Sequence, residues 1–432
     1  RALEAIAADT SLIATQLGEV TTYLASLAGV FQSELKRLRE EIYSVAPPGI
    51  ELEISDDLLY IAEKTRGFVG RQFVFDRVSR FLQQESWGYF FIYGEPGVGK
   101  TALAAQLVKT HAYLHHFNRR SQGIDRADAF LTNICAQLVA RYGLSYGSLP
   151  PHTGQDGRFF NKLLSEIAGS YLKNDKLIIV VDALDEVVID HLPAGTSPLY
   201  LPNLLPENVY LIVTQRRGTP HRLKGETNLE TLDIDENSAD NVADVRAYLA
   251  QALTRPGIQR YLARQSLAET TFAEQLEQKS EYNFMYLRYV LAAIEEGIYQ
   301  DVALKKLPQG LRDYYDDHWQ RLKGLDETAW FDYKLKVLVG LTLFKEPVSV
   351  HMIAQYTGVP HLARIRTVLQ EWGQFLDVEE KVQGDRLEKY YSIYHASFYD
   401  FVAAKEVVQD ERFTLEETEK RMADQIKKQL GY

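Results

Sequence analysis

The sequence predicts an α/β domain built on a parallel sheet, followed by a helical domain and a winged-helix domain, with a helix ahead of all three. Three observations carry this. An eight-residue glycine-rich stretch, Gly94-Glu95-Pro96-Gly97-Val98-Gly99-Lys100-Thr101, stands between a strand-like run (Tyr89–Tyr93) and a helix-like run (Ala102–Val108). Two further apolar runs, Leu177–Asp182 and Val209–Thr214, have the unbroken hydrophobicity of strands buried on both faces of a parallel sheet. After residue 238 the pattern turns helical, and it ends in a helical pair followed by a hairpin-like pair of strands.

Taken in order, residues 1–45 repeat apolar positions at alternating steps of three and four (Ile13, Leu17, Val20, Leu24, Leu27, Phe31, Leu35, Leu38, Ile42), with one slip between Phe31 and Leu35. That spacing suits a coiled-coil seam or an amphipathic helix packed on a neighbouring domain. Pro47-Pro48-Gly49 ends it, giving a first unit over 1–49. Residues 50–66 read as acidic and irregular. Phe68-Val69-Gly70-Arg71 follows, upstream of the first strand, where a short segment either folds over a nucleotide base or simply turns into the next helix.

The glycine-rich stretch has the form of a phosphate-binding loop. Its glycines let backbone N–H groups converge on phosphate oxygens, and the helix beginning near Ala102 adds its free N–H groups and partial positive charge. Lys100 reaches β- and γ-phosphates, and the Thr101 hydroxyl is a ligand for Mg²⁺. Residues 112–119 read as strand. Its adjacent His115 and His116 point to opposite faces, which disfavours a shared metal. Residues 127–142 read as helix and 143–157 as a Gly/Ser/Pro-rich loop. Leu177–Val181 delivers Asp182 to a strand end, where a carboxylate holds Mg²⁺ directly or through water. One of Asp185 and Glu186 then orients or deprotonates the attacking water, the other being a first-turn charge. The third strand ends in Thr214-Gln215-Arg216-Arg217. Ligands of open parallel sheets lie beyond the carboxyl ends of the strands, so Thr214 and Arg216 are candidates to read a γ-phosphate. The α/β domain spans 62–232, the helical domain 233–310, with breaks at Pro256-Gly257 and Leu307–Leu311, and the winged-helix domain 311–408. In the last, helical stretches at 332–344, 350–357 and 361–374 precede strand-like runs at 375–382 and 388–396, joined by Gln383-Gly384-Asp385. Residues 409–432 read as a connector helix into a region absent here.

Composition narrows the function. The 432 residues are 46% hydrophobic and 25% charged, enough for a sizeable core, and the formal charge of −11 weighs against non-specific nucleic-acid or anionic-membrane binding. Residues 346–408 hold six Lys/Arg against nine Asp/Glu, a poor match to a phosphate backbone. One cysteine, Cys135, in an apolar helical pattern excludes an internal disulfide and a cysteine-rich zinc site and fits a buried thiol in a reducing cytoplasm. No apolar run approaches the roughly 18 residues of a membrane span. Because the chain starts at Arg1, it reads as a segment of a longer polypeptide.

The order of motifs over residues 65–405 resembles that of STAND NTPases, specifically the NACHT group of bacterial and fungal repeat-bearing proteins, related to the apoptosome and NLR ATPases. Asp182-Ala183-Leu184-Asp185-Glu186 resembles the NACHT Mg²⁺-site signature, and Phe68-Val69-Gly70-Arg71 resembles the adenine-side segment, which implies base contacts at Val69 and Arg71. Thr214-Gln215-Arg216 resembles the sensor of these proteins, with Gln215 where a serine is common. Tyr394–Phe401 resembles the winged-helix segment whose histidine touches the β-phosphate of ADP, which implies that role for His395, the alternative being a satisfied core histidine. Glu281–Tyr286 stands where relatives carry a Gly-x-Pro turn against adenine, and lacks the proline.

The resemblance implies a cytoplasmic ATP/ADP switch with Mg²⁺. ADP holds a closed monomer, and ATP favours a homo-oligomer that clusters an effector borne by an absent N-terminal segment, after a trigger is read by an absent C-terminal repeat region. Immune defence and programmed cell death are the settings implied. Two readings compete. One is an AAA+-like ATPase acting on DNA through its winged helix. The other is a small-molecule phosphotransferase, which leaves the long helical half without a role. A guanine nucleotide is disfavoured, because no Asn-Lys-x-Asp segment is present.

Overall fold

The computed structural model describes residues 54–408, except 174, 190, 191, 194, 225, 226, 300, 301, 345, 384 and 385. The helix expected over 1–45, its Pro-Pro-Gly stop, the connector at 409–432 and the centre of the hairpin turn lie outside the described residues.

The first half contains α1 (Ile54–Lys64), α2 (Gln72–Gln84), β1 (Gly88–Tyr93), α3 (Lys100–His111), β2 (Leu114–Phe117), α4 (Ala127–Tyr142), α5 (Arg158–Ser170), β3 (Leu177–Asp182), β4 (Val209–Gln215) and β5 (Leu229–Asp233). The five strands form one parallel sheet in the order β2-β3-β4-β1-β5. All residues of β3 and β4 are buried, as strands covered by helices on both faces must be. One face packs on α4 and α5 through residues such as Phe130, Ile134 and Phe160. The other packs on α2 and α3 through Val78, Phe81, Leu103 and Leu107. The register sets the site. Val213 of β4 stands level with Phe91 of β1 on one side and Val181 of β3 on the other. The glycine-rich loop, Asp182 and Arg216 therefore leave the sheet at the same edge.

Residues 50–66, expected to be irregular, are a correction: Ile54–Lys64 is a helix. Leu58 and Ile61 lie three apart and are buried, and Asp57 beside them pairs with Arg119 at 2.8 Å. Leu58, Leu59, Tyr60 and Ile61 fall in one unbroken run after Asp56-Asp57 and so give no helical period along the sequence. Strand β5 was also not anticipated. It is a part-exposed edge strand whose Glu230 pairs with Arg77 of α2 at 2.5 Å.

The second half contains α6 (Ala239–Leu253), α7 (Pro256–Gln265), α8 (Glu269–Lys279), α9 (Phe284–Glu295), α10 (Gly310–Leu325), α11 (Leu335–Leu343), β6 (Val348–Ser349), α12 (Val350–Thr357), α13 (Leu362–Glu371), β7 (Leu376–Gln383), β8 (Arg386–Ile393) and α14 (Ala396–Ala403). Pro256 opens α7 at its first turn, where the missing N–H costs nothing. Strands β6, β8 and β7 form a small antiparallel sheet. The helical and winged parts share one continuous apolar core from Val245 to Val408. Aromatic rings stitch them together: Tyr289 lies 5.1 Å from Phe375, Tyr315 lies 5.2 Å from Phe398, and Phe375 stacks on Phe398 at 4.5 Å. Cys135 is buried, and burial pushes its thiol up to about 12.

Candidate nucleotide site

The loop between β1 and α3 has the conformation that phosphate binding needs. Gly97 and Gly99 take φ of +87° and +97°, left-handed values that turn successive N–H groups inward. Val98 between them is fully buried and anchors the loop to the core. Lys100 Nζ donates to the carbonyl oxygens of Gly94 (2.7 Å) and Glu95 (3.1 Å). Burial lowers its pKa, opposed by the nearby Asp185 and Asp182. Ala102 lines the same cavity one residue beyond Thr101.

Asp182 ends β3 with its side chain buried. Its Oδ1 accepts from the Thr214 hydroxyl at 2.5 Å, and that hydroxyl oxygen accepts from the Ala183 N–H at 3.0 Å. Thr214, expected to read a γ-phosphate, is a correction: it is fully buried and spent on orienting Asp182. Asp182 Oδ2 is buried without a hydrogen-bond partner. Burial raises the Asp182 pKa, while the Thr214 and Thr101 hydroxyls and Lys100 oppose the rise. An orphaned carboxylate oxygen beside a hydroxyl fits a hard divalent cation that takes its remaining oxygens from phosphate and water.

The two acids that follow have different surroundings. Asp185 is occupied: Oδ1 accepts from the Arg216 backbone N–H at 3.1 Å, and Oδ2 pairs with Arg216 Nε at 2.9 Å. Glu186 accepts one backbone N–H, from Arg120 at 3.0 Å. Burial, with Asp185 and Asp182 close by, pushes the Glu186 carboxyl up to about 7. Arg216 also reaches across to the winged part, where Nη1 meets Asp400 Oδ2 at 2.5 Å. Arg217 turns away and joins Asp233 to the loop's Glu95 at 2.8 and 3.1 Å.

On the other side of the loop, Phe68 and Val69 line the cavity. Gly70 and Arg71 both have positive φ and sit against Asp244 of α6, whose Oδ2 accepts the Arg71 N–H at 2.9 Å. The Arg71 guanidinium donates to Asn241 Oδ1 (2.8 Å) and to the Val98 carbonyl (2.5 Å). It thus ties the loop to the helical part through Nη1 and Nη2 while lining the cavity. Asn283 does the same from α9 and was missed in the sequence. Its Oδ1 caps the helix by accepting from the N–H groups of Met285 and Tyr286, and its Nδ2 donates to the Pro96 carbonyl at 2.9 Å. The approach is so close that a Cβ on Gly97 would stand 2.4 Å from Asn283 Oδ1. Only its position before an apolar run, an N-cap signal, marked Asn283 out beforehand.

The fourth wall is the winged part. His395 is the N-cap of α14, its Nδ1 accepting from the Ser397 N–H at 3.2 Å and lying 2.6 Å from the Ser397 hydroxyl. With Nδ1 an acceptor, hydrogen-bond logic assigns the ring proton to Nε2. The ring lies deep in the molecule with one side open to the cavity. Burial first, then Lys64, Lys100, Arg216 and Arg288 around it, push its pKa down to about 3. Beside it, Tyr394 lies between Lys64 Nζ, 3.8 Å from the ring centre, and the Arg288 guanidinium at 4.5 Å. Arg288 is a second cation the sequence reading did not single out.

Residues Gly97 to Ala102, Asp182, Asp185, Glu186, Arg216, Arg288 and His395 line one cavity of roughly 1340 Å³. It holds a loop for phosphates, a cation-ready carboxylate, several guanidiniums and an apolar flank at Phe68, Phe284 and Met285.

Residues 67–213 match the AAA ATPase domain family. That is about a third of the chain, and it runs from the Phe68 segment through β4. Comparison with the curated proteins finds no match. Among solved structures, a STAND protein with a tetratricopeptide repeat sensor from Pyrococcus horikoshii is 15% identical, over 86% of this chain and 45% of its own, with a TM-score of 0.38. The chain therefore spans less than half the length of that protein. A RuvB mutant from Thermotoga maritima is 14% identical over 72% of this chain and 90% of its own, with a TM-score of 0.31. A chain of Drosophila ORC bound to DNA is 13% identical over 79% and 96%, also with a TM-score of 0.31. Among the described residues no helix is long and apolar enough to cross a membrane.

Proposed function

We propose that this chain is the nucleotide-driven switch of a STAND-type signalling protein of the NACHT group. ADP holds it closed, and ATP opens it to a homo-oligomer that activates an effector in defence or cell death. The observation that carries this reading is His395, a neutral histidine from the winged part that lines the same cavity as the phosphate loop among four cations. A diphosphate in the loop takes the Nε2–H of His395 as a donor. The nucleotide then joins the α/β domain to the winged part. Losing that contact frees the winged part to swing, which is the differential affinity a switch needs.

Each residue has a part in this reading. The N–H groups from Gly97 to Ala102 cradle the phosphates, and Lys100 leaves its loop carbonyls for phosphate oxygen. Val69 stands at the base with Phe284 and Met285, and Arg71 keeps the loop registered on the helical part. Thr101 and Asp182 hold Mg²⁺, which when bound neutralises charge on the transferring phosphate. Glu186 takes the proton of the attacking water, since a base near neutrality is matched to that task. Arg216 meets the γ-phosphate. Hydrolysis is slow and serves to reset the switch. The wing supports this reading over a DNA-binding one. Its β7 faces inward, with Glu379 accepting from Gln122 of the α/β domain at 2.8 Å and Asp377 lining the cavity.

The test is His395→Ala with a fluorescent ADP analogue and size measurement. The expected result is faster ADP release and spontaneous assembly. An unchanged off-rate and unchanged particle size contradict the reading.

A further inference from the structure

Arg216 lies between two carboxylates that belong to different parts of the molecule. Asp185 follows β3 and holds Arg216 from within the α/β domain, through the backbone N–H and Nε. Asp400 lies on α14, five residues after His395, and holds Nη1 at 2.5 Å from the winged part. The Asp185 side chain is 9% exposed and the Asp400 side chain 52% exposed, so the two grips differ in kind. The first is sheltered and sets where the guanidinium sits. The second is wet, screened and breakable.

We infer that Asp400 is a positioning residue that competes with the γ-phosphate for Arg216 and so sets the preference of the closed state for a diphosphate. The inference rests on the switch reading above. One short helix carries both devices: its N-cap histidine faces the phosphate cavity, and its Asp400 occupies the arginine a third phosphate would need. A diphosphate leaves the Arg216–Asp400 pair untouched. A triphosphate brings its terminal charge to Arg216, and there it repels the Asp400 carboxylate while removing its partner. Both effects push α14 away from the α/β domain. Asp185 stays in place and keeps Arg216 aimed at the phosphate as α14 leaves. Asp400 touches neither nucleotide nor reacting atoms. Its effect runs entirely through Arg216.

The experiment measures ADP and ATPγS affinities, with Mg²⁺, for the full chain and for Asp400→Asn. Half-exposed Asp400 leaves folding intact when made neutral, which a melting curve checks. The expected result is ATPγS binding tightened on the order of two- to fivefold, the range of an exposed ion pair, with ADP affinity changed less than that. Asp400→Glu restores the original ratio, and in an Arg216→Ala background the Asp400→Asn effect disappears, as a coupled pair requires. An unchanged ATPγS-to-ADP ratio, or an equal shift in both, overturns the inference while the switch reading stands. Failure of the unaltered chain to bind either nucleotide overturns both.

Discussion

At the scale of single residues, the question is which of two adjacent acids does chemistry. Asp185 and Glu186 are equivalent in the sequence. In the fold, Asp185 is consumed by Arg216, while Glu186 keeps one backbone donor and titrates at about 7. A base works only when deprotonated, so hydrolysis falls as pH drops through about 7 and levels off above it. Glu186→Gln lowers the ATP hydrolysis rate by roughly 10²–10⁴-fold with ATP binding retained, and it removes the pH step. A pH–rate profile of both proteins at saturating ATP checks this. A variant that hydrolyses ATP normally moves the role to another group. The turn between β1 and α3 and the place of Asp182 at the end of β3 were legible in the sequence because both follow from local pattern. Glu186 was not separable from Asp185, because burial and a guanidinium thirty residues downstream decide between them. Thr214 was misread for the same reason: its position at a strand end is local, but its commitment to Asp182 comes from a neighbouring strand.

At the scale of elements, α9 is the lever. Its N-cap, Asn283, sits on the glycine-rich loop, while Arg288, further along the same helix, pairs with Glu63 at 3.3 Å and packs on Tyr394. Asn283→Ala removes a cap worth about 1 kcal/mol and the tie to Pro96. The thermal midpoint drops by roughly 2–4 °C for a unit of this size, and nucleotide affinity weakens with it. An unchanged midpoint with unchanged affinity removes Asn283 from the account. Most of the long elements were legible, because β3 and β4 are apolar up to their polar carboxyl ends and α4 and α12 follow helical spacing. Helix α1 and strand β5 were not. Their stability comes from what they pack against: α1 on α3 and Arg119, β5 on β1 and Arg77. In the sequence α1 offers one short apolar run beside acidic residues, and β5 only Leu229, Thr231 and Leu232 among the acids Glu230 and Asp233.

At the scale of the molecule, two bodies meet across one cavity. The α/β domain carries the glycine-rich loop, Asp182 and Arg216, and the helical and winged parts, joined by one aromatic core, carry Asn283, His395 and Asp400. Direct ties already cross between them, among them Arg71 to Asp244 and Asn241, Asn283 to Pro96 and the half-exposed Arg216–Asp400 pair, and in the proposed switch a nucleotide adds to these. The existence of a winged part was readable from two helices and a hairpin. Its inward-facing wing was not, because that depends on Gln122 and Lys64 meeting residues more than 250 positions away.

The most direct test of the switch is to purify the full chain, release whatever nucleotide it carries, identify it and size the particle in the same preparation. The account predicts ADP, about one per chain, on a monomer that assembles when ADP is replaced by ATPγS. An empty monomer turning over ATP at tens per second, in the range of an ordinary enzyme, contradicts it.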